Sequence, residues 1–215
     1  MTTVVHHIDD DASVRGAIGR FLKASGHEVQ SYRSAGEFLK RRVDVGNPSC
    51  ILLDYQMPGL TGLEFQEQLV HLGSLLPIVF LTGHGSIRMT VQAMKAGAED
   101  FLTKPVSGNE LLDAIRHAIE KYMVSRERNT ELHSLRRRIG RLTPRESQVF
   151  ELVVQGKLNK QIAYELGTTE RTIKAHRHRV MNKTQVRSLA ELVSIAERLG
   201  KLSTFSSAKI AEEQE

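Results

Sequence analysis

In the first half of the chain, short apolar runs end in residues that can do chemistry. Thr3–Ile8 runs into Asp9-Asp10-Asp11, Cys50–Leu53 stops at Asp54, Pro77–Leu81 stops at Thr82, and Glu99–Leu102 is followed by Thr103 and Lys104. A carboxylate at an accessible strand end can act as a nucleophile or a metal ligand. Several carboxylates at one edge raise one another's proton affinity unless a cation sits among them. Hard oxygen donors with room for water suit Mg²⁺ better than zinc. A hydroxyl and an ammonium nearby supply the donors that a phosphoryl group's equatorial oxygens need. The constellation reads as Mg²⁺-assisted phosphoryl transfer onto Asp54. For Asp54 alone, the bland alternative is an acid that caps the next helix.

These residues need a scaffold that brings strand ends together. Cys50–Leu53 and Pro77–Thr82 have the uninterrupted apolar character of parallel strands buried on both faces. His27–Tyr32 is weaker and reads as an edge strand. Helical stretches fall between the strands, at Ser13–Ser25, Ala35–Arg42, Leu63–Leu72 and Ile87–Lys95, and a long one starts near Asn109. Five strands alternating with five helices imply a parallel sheet with right-handed crossovers. In such sheets the working site lies beyond the carboxyl ends of the strands.

The order Asp9-Asp10, Asp54 with Met57-Pro58-Gly59, Thr82 and Lys104-Pro105 resembles the receiver domain of bacterial response regulators over residues 1–122. The resemblance implies a flavodoxin-like sheet of order 2-1-3-4-5, with Asp54 phosphorylated by a histidine kinase. It further implies that Asp10, Asp54 and the Gln56 carbonyl ligate Mg²⁺, with Asp9 helping through water. Lys104 would pair with the phosphoryl group and precede a cis peptide bond. Thr82 would swing toward the phosphoryl oxygen while Phe101 turns inward; plain core is the other reading of Phe101. Asp11 extends the usual acidic pair and suits a helix cap better than a metal. Gln56 stands where it can touch the water that hydrolyses an acyl phosphate. A haloacid-dehalogenase-like phosphatase is the competing enzyme reading. That chemistry wants an acid two residues after its nucleophile, where Gln56 stands, and Ala12-Ser13 replaces the expected Gly-Thr after Asp9-Asp10-Asp11. A switch fits better than a turnover enzyme.

The charge is unevenly placed. Residues 1–124 carry 12 Lys and Arg against 14 Asp and Glu, whereas residues 125–215 carry 18 against 11. The basic second half points to a polyanion, nucleic acid first. A lone cysteine, Cys50, excludes a disulfide framework. No apolar run reaches membrane-spanning length and residues 1–15 lack a signal pattern, so a cytoplasmic protein is expected. Residues 124–140 read as a partly helical linker, with a disordered tether as the alternative, and residues 201–215 as a flexible tail.

Thr143-Pro144-Arg145-Glu146 has the form of a helix start, with a cap, proline at the first position and a glutamate three after the cap. Asn159–Leu166, the turn Gly167-Thr168-Thr169 and Glu170–Lys183 make a helix-turn-helix pattern. On the third helix Ile173, His176, Val180 and Met181 face inward, and Arg171, Lys174, Ala175 and His178 outward. A cationic face with one small residue suits close entry into a major groove. A fourth helix, Ser188–Leu199, carries a broad apolar stripe, part of which is available for a second copy. The strings Leu-Thr-Pro-Arg-Glu (142–146), Asn-Lys-Gln-Ile-Ala (159–163), Glu-Leu-Gly (165–167) and Arg-Thr-Ile-Lys-Ala-His-Arg (171–177) resemble the LuxR-type DNA-binding domain, over residues 141–200. The resemblance implies Lys174, Ala175 and His178 near base edges, and Lys160, Thr169, Arg171 and Arg179 near phosphates. It also implies dimerisation through the last helix. Thr184 stands where that family usually places Leu, a departure expected to loosen the end of the third helix.

Together these features look like the NarL/FixJ class. The expectation is a transcriptional regulator and not an enzyme, switched at Asp54 by a histidine kinase or a small acyl phosphate. It would bind promoter DNA as a homodimer on activation, with RNA polymerase a further candidate partner. The alternative is a DNA-binding protein that works without phosphorylation.

Overall fold

The computed structural model describes residues 2–41, 47–83 and 85–200. Two compact units part between Glu127 and Arg128.

In the first unit β1 (Val4–Ile8), β2 (Glu28–Tyr32), β3 (Ser49–Asp54), β4 (Ile78–Thr82) and β5 (Asp100–Thr103) alternate with α1 (Ala12–Ala24), α2 (Ala35–Leu39), α3 (Gly62–His71), α4 (Ile87–Lys95) and the first part of α5 (Gly108–Ile139), whose remainder belongs to the second unit. The strands form one sheet of order β2-β1-β3-β4-β5 in which every pairing is parallel, the order expected. Every residue of β1, β3 and β4 is buried, because helices cover both faces of the sheet. Alternate side chains serve opposite cores. Ile51 and Leu53 join Ile8, Phe65 and Phe80 on one face, while Cys50 and Leu52 join Val5, Leu22, Val79, Leu81 and Ile115 on the other. β2 is an edge strand with Glu28 and Ser31 exposed, which explains its weak apolar pattern.

Local signals account for the helix starts. Asp11 caps α1, accepting from the amides of Ser13 and Val14. Thr61 and Glu64 close a reciprocal capping box at α3. α2 ends at Leu39, shorter than the Ala35–Arg42 helix expected: Lys40 is its C-cap and the Arg41 amide turns back to the Phe38 carbonyl. Arg42 lies outside the described residues, as does the tail expected at 201–215. β5 sits one residue later than its apolar run suggests, because Thr103 pairs with Thr82.

The second unit holds α6 (Pro144–Val154), α7 (Asn159–Glu165), α8 (Glu170–Thr184) and α9 (Leu189–Arg198). Thr143 caps α6 through a reciprocal box with Glu146, and Pro144 opens the helix. Gly167, with φ 61°, makes the turn into α8 in a conformation that costs other residues more. The core gathers Val149, Phe150, Ile162, Ile173, Val180, Leu192, Ile195 and Ala196. Leu135 and Ile139, from the stretch read as linker, belong to the same core, and α5 is helical through Ile139.

Thr184 does not fray the end of α8. It is fully buried, and its hydroxyl donates to the Val180 carbonyl at 2.8 Å, so its polar atom is satisfied within the helix. Most of the α9 stripe packs internally, with Leu189 exposed at one end. Among the described residues, no helix is long and apolar enough to cross a membrane.

Candidate functional site

Parallel pairing carries the ends of β1, β3, β4 and β5 to one edge of the sheet. Ile8 pairs with Leu53, Asp54 with Leu81, and Thr82 with Thr103, so Asp9, Asp54, Thr82 and Lys104 emerge side by side. Backbone bonds hold this rim beyond the ladders: the Tyr55 amide donates to Leu81 O at 3.1 Å and the Lys104 amide to Thr82 O at 2.7 Å. The Lys104–Pro105 peptide is cis.

Lys104 is the centre of the charge arrangement. Its Nζ donates to Asp9 Oδ2 and to Asp54 Oδ2, each at 2.8 Å. Partial burial opposes its charge, yet the bonds to Asp54 and Asp9 prevail and hold its pKa above the ordinary lysine value. Each carboxylate has a second anchor. Asp9 Oδ1 accepts the Asp11 amide at 2.8 Å, and Asp54 Oδ1 accepts the Gln56 amide at 2.9 Å. Arg15, which sequence reasoning did not single out, donates to the Asp9 carbonyl at 2.5 Å.

Asp9 is fully buried, Asp54 is 8% exposed, and Asp10 lies open to solvent. One oxygen from each of these three carboxylates falls in a group spanning at most 4.8 Å. Three hard oxygen donors against one ammonium leave room for a divalent cation, and the residue types fit one. Gln56 is exposed at the mouth of this group. β1 below it carries two buried histidines. His7 has no hydrogen-bond partner on either ring nitrogen among the described residues, and burial pushes both His6 and His7 down to about 4.

Thr82 is buried beside the acids, and Phe101 on β5 is half-buried. The Phe101 ring lies against Tyr55 and Phe80, with centroids 5.8 and 6.0 Å away. Tyr55, the residue after Asp54, therefore links the Asp54 strand end to Phe101. Nothing in the sequence signals that contact beyond its position next to Asp54.

In the second unit, the described positions sort as their spacing predicts. Arg171, Lys174, Ala175, His178 and Arg179 are exposed on α8, while Ile173 and Val180 are buried. Lys160 is exposed near the start of α7, and Thr169 caps α8, accepting from the Thr172 amide. The face is braced from behind. Arg177 Nη1 donates to Asn159 Oδ1 at 2.9 Å, tying α8 to α7, and Lys183 Nζ donates to buried Glu146 at 2.6 Å, tying α8 to α6. His178 and Asn182 are 3.1 Å apart along the exposed side. A rigid helix with cations outward can be presented to a polyanion as one surface.

Comparison with known proteins covers both units. Residues 5–116 match the family of response regulator receiver domains, and residues 140–196 match the luxR family of bacterial regulatory proteins. Nodulation protein W of Bradyrhizobium diazoefficiens is 44% identical over 92% of this chain and 86% of its own. The transcriptional regulatory protein FixJ of Azorhizobium caulinodans is 38% identical over 89% of this chain and 90% of its own. The solved structure of response regulator StyR is 44% identical, covers 92% of this chain and all of its own, and superposes with a TM-score of 0.79.

Proposed function

Since the chain belongs to the two-component response regulators of the NarL/FixJ class, with a receiver domain and a LuxR-type DNA-binding domain, we propose that it regulates transcription under the control of phosphorylation at Asp54. The observation that carries this reading is Lys104, whose ammonium is 2.8 Å from both Asp9 and Asp54 at the carboxyl edge of the sheet.

An oxygen of Asp54 attacks the phosphorus of a phosphohistidine on a partner kinase. The phosphorus–nitrogen bond breaks, an acyl phosphate forms, and the imidazole leaves and takes up a proton. Asp9, Asp10, Asp54 and the Gln56 carbonyl are the groups that would hold Mg²⁺. When bound, the ion neutralises charge that builds on the phosphoryl oxygens. Lys104 donates to one phosphoryl oxygen and the Thr82 hydroxyl to another. Thr82 moves toward the site as Phe101 turns inward, and the altered surface favours a dimer whose two α8 helices address two half-sites of promoter DNA. Lys174, Ala175 and His178 read base edges, and Lys160, Thr169, Arg171 and Arg179 hold phosphates. RNA polymerase would meet the protein on that DNA. Slow hydrolysis of the acyl phosphate, with Gln56 beside the attacking water, resets the switch.

The test measures mass in solution and DNA affinity with and without Mg²⁺ plus beryllofluoride, for wild type and Asp54→Asn. The DNA is selected from a random-site pool. Dimerisation and tighter binding in the wild type alone are expected. If neither protein responds, Asp54 is not the control point and DNA binding is constitutive.

A further inference from the structure

Glycine is held at a position either by a backbone conformation that other residues avoid or by lack of room. At Gly85, just after β4, room is short. A Cβ built on it would lie 3.1 Å from Thr103 Cγ2, 3.2 Å from Phe101 Cε1 and 3.3 Å from Thr82 Cγ2. Such contacts are tighter than the 3.5–4.0 Å at which carbon atoms attract best. Two of the three neighbours are the residues read above as the switch. The bare backbone of Gly85 therefore forms one wall of the slot that holds the Phe101 ring, with Tyr55 and Phe80 forming others.

The geometry points to Gly85 as a positioning residue that sets the balance of the switch. The arrangement with Lys104 bridging Asp9 and Asp54 is taken as the resting one, since its ammonium is bonded directly to the Asp54 carboxylate that the phosphoryl group would modify. A methyl at residue 85 presses on Phe101 and Thr82 in this arrangement and shifts the equilibrium away from it. Gly83 in the same loop serves as the control. A Cβ there would meet nothing within 4 Å among the described residues.

This inference rests on the switch reading of Thr82 and Phe101, and its test separates the two. The full-length protein is labelled with fluorophenylalanine, and the Phe101 resonance is identified by its loss in Phe101→Leu. Gly85→Ala is expected to shift that resonance without any phosphodonor, whereas Gly83→Ala leaves it in place. DNA affinity is then compared with and without Mg²⁺ plus beryllofluoride. Gly85→Ala should bind more tightly at rest, narrowing the activation ratio roughly fivefold, within the usual range of coupling between sites. In a Phe101→Leu background the Gly85→Ala effect on resting affinity should vanish. The proposal is overturned if the resonance stays put, if Gly83→Ala shifts it equally, or if the affinity effect survives loss of the ring. A wild type that ignores beryllofluoride would sink the phosphorylation reading, while the resonance would still decide the role of Gly85.

Discussion

Lys104 holds two carboxylates that would otherwise face each other, and one of them, Asp9, has no access to water. Removing the ammonium leaves that buried charge uncompensated. Lys104→Met is expected to lower stability in metal-free buffer by about 2 kcal/mol, less than a fully buried pair because the lysine is partly solvated. The same substitution leaves the acids freer to take a cation. Added Mg²⁺ should therefore raise the melting temperature of Lys104→Met more than that of wild type, and thermal melts with and without the ion check both parts. The histidines of β1 give a second handle. His6 lies edge-on to Phe38 with ring centroids 5.4 Å apart, and burial lowers its pKa from 6.5 to about 4, against a small opposing pull from Glu28. The folded chain thus takes up that proton less readily than the unfolded one. The stability this contributes is fully present above pH 6.5 and is lost as pH falls toward 4, amounting to about 3 kcal/mol over the whole span. Urea unfolding at pH 7 and pH 5 should show a smaller loss for His6→Phe than for wild type.

At the scale of elements, β3 and β4 were legible because burial on both faces writes itself as an unbroken apolar run. α6 was legible because Thr143, Pro144 and Glu146 act within one turn. The convergence of Asp9, Asp54 and Lys104 was legible only through the rule that parallel strands end at one edge, since Lys104 lies 50 residues from Asp54 along the chain. What could not be read was distant and without a local mark. The Lys183–Glu146 contact links residues 37 apart, and the crowding at Gly85 depends on side chains from two strands. Likewise Leu135 and Ile139 showed as apolar positions, but spacing alone does not say which core receives them. The third helix was read by face, and α8 bears that sorting out in its exposures. If Lys174 reads a base edge from there, Lys174→Ala relaxes sequence choice at one or two positions, costing about 1–3 kcal/mol of discrimination. Binding measured across a panel of single-base site variants decides the matter: equal weakening on every site would reassign Lys174 to a phosphate.

For the whole molecule, the division between Glu127 and Arg128 falls within α5, and its last turns belong to the second core. A DNA-binding fragment starting at residue 140 lacks Leu135 and Ile139, and it also loses the bond from Arg198 Nη1 to Glu131 Oε1 at 2.6 Å. Burying such aliphatic side chains is worth about 2–5 kcal/mol each by truncation to alanine. Residues 128–200 should therefore fold and bind DNA under conditions where residues 140–200 are largely unfolded, as circular dichroism melts of the two fragments would reveal. The basic second half should also carry the salt dependence, so fragment 128–200 and the full chain should share one slope of log affinity against log salt. Cys50 has a different use. It is the lone thiol of the chain, fully buried near the start of β3 and pushed up to about 12 by burial. An aromatic disulfide reagent can reach it only when the sheet opens, so the colour released over time is a clock for that opening. The clock sits four positions before Asp54 on the same strand, and it needs no introduced label. Any ligand or modification that tightens the carboxyl edge will slow it, which makes the native chain its own reporter of occupancy.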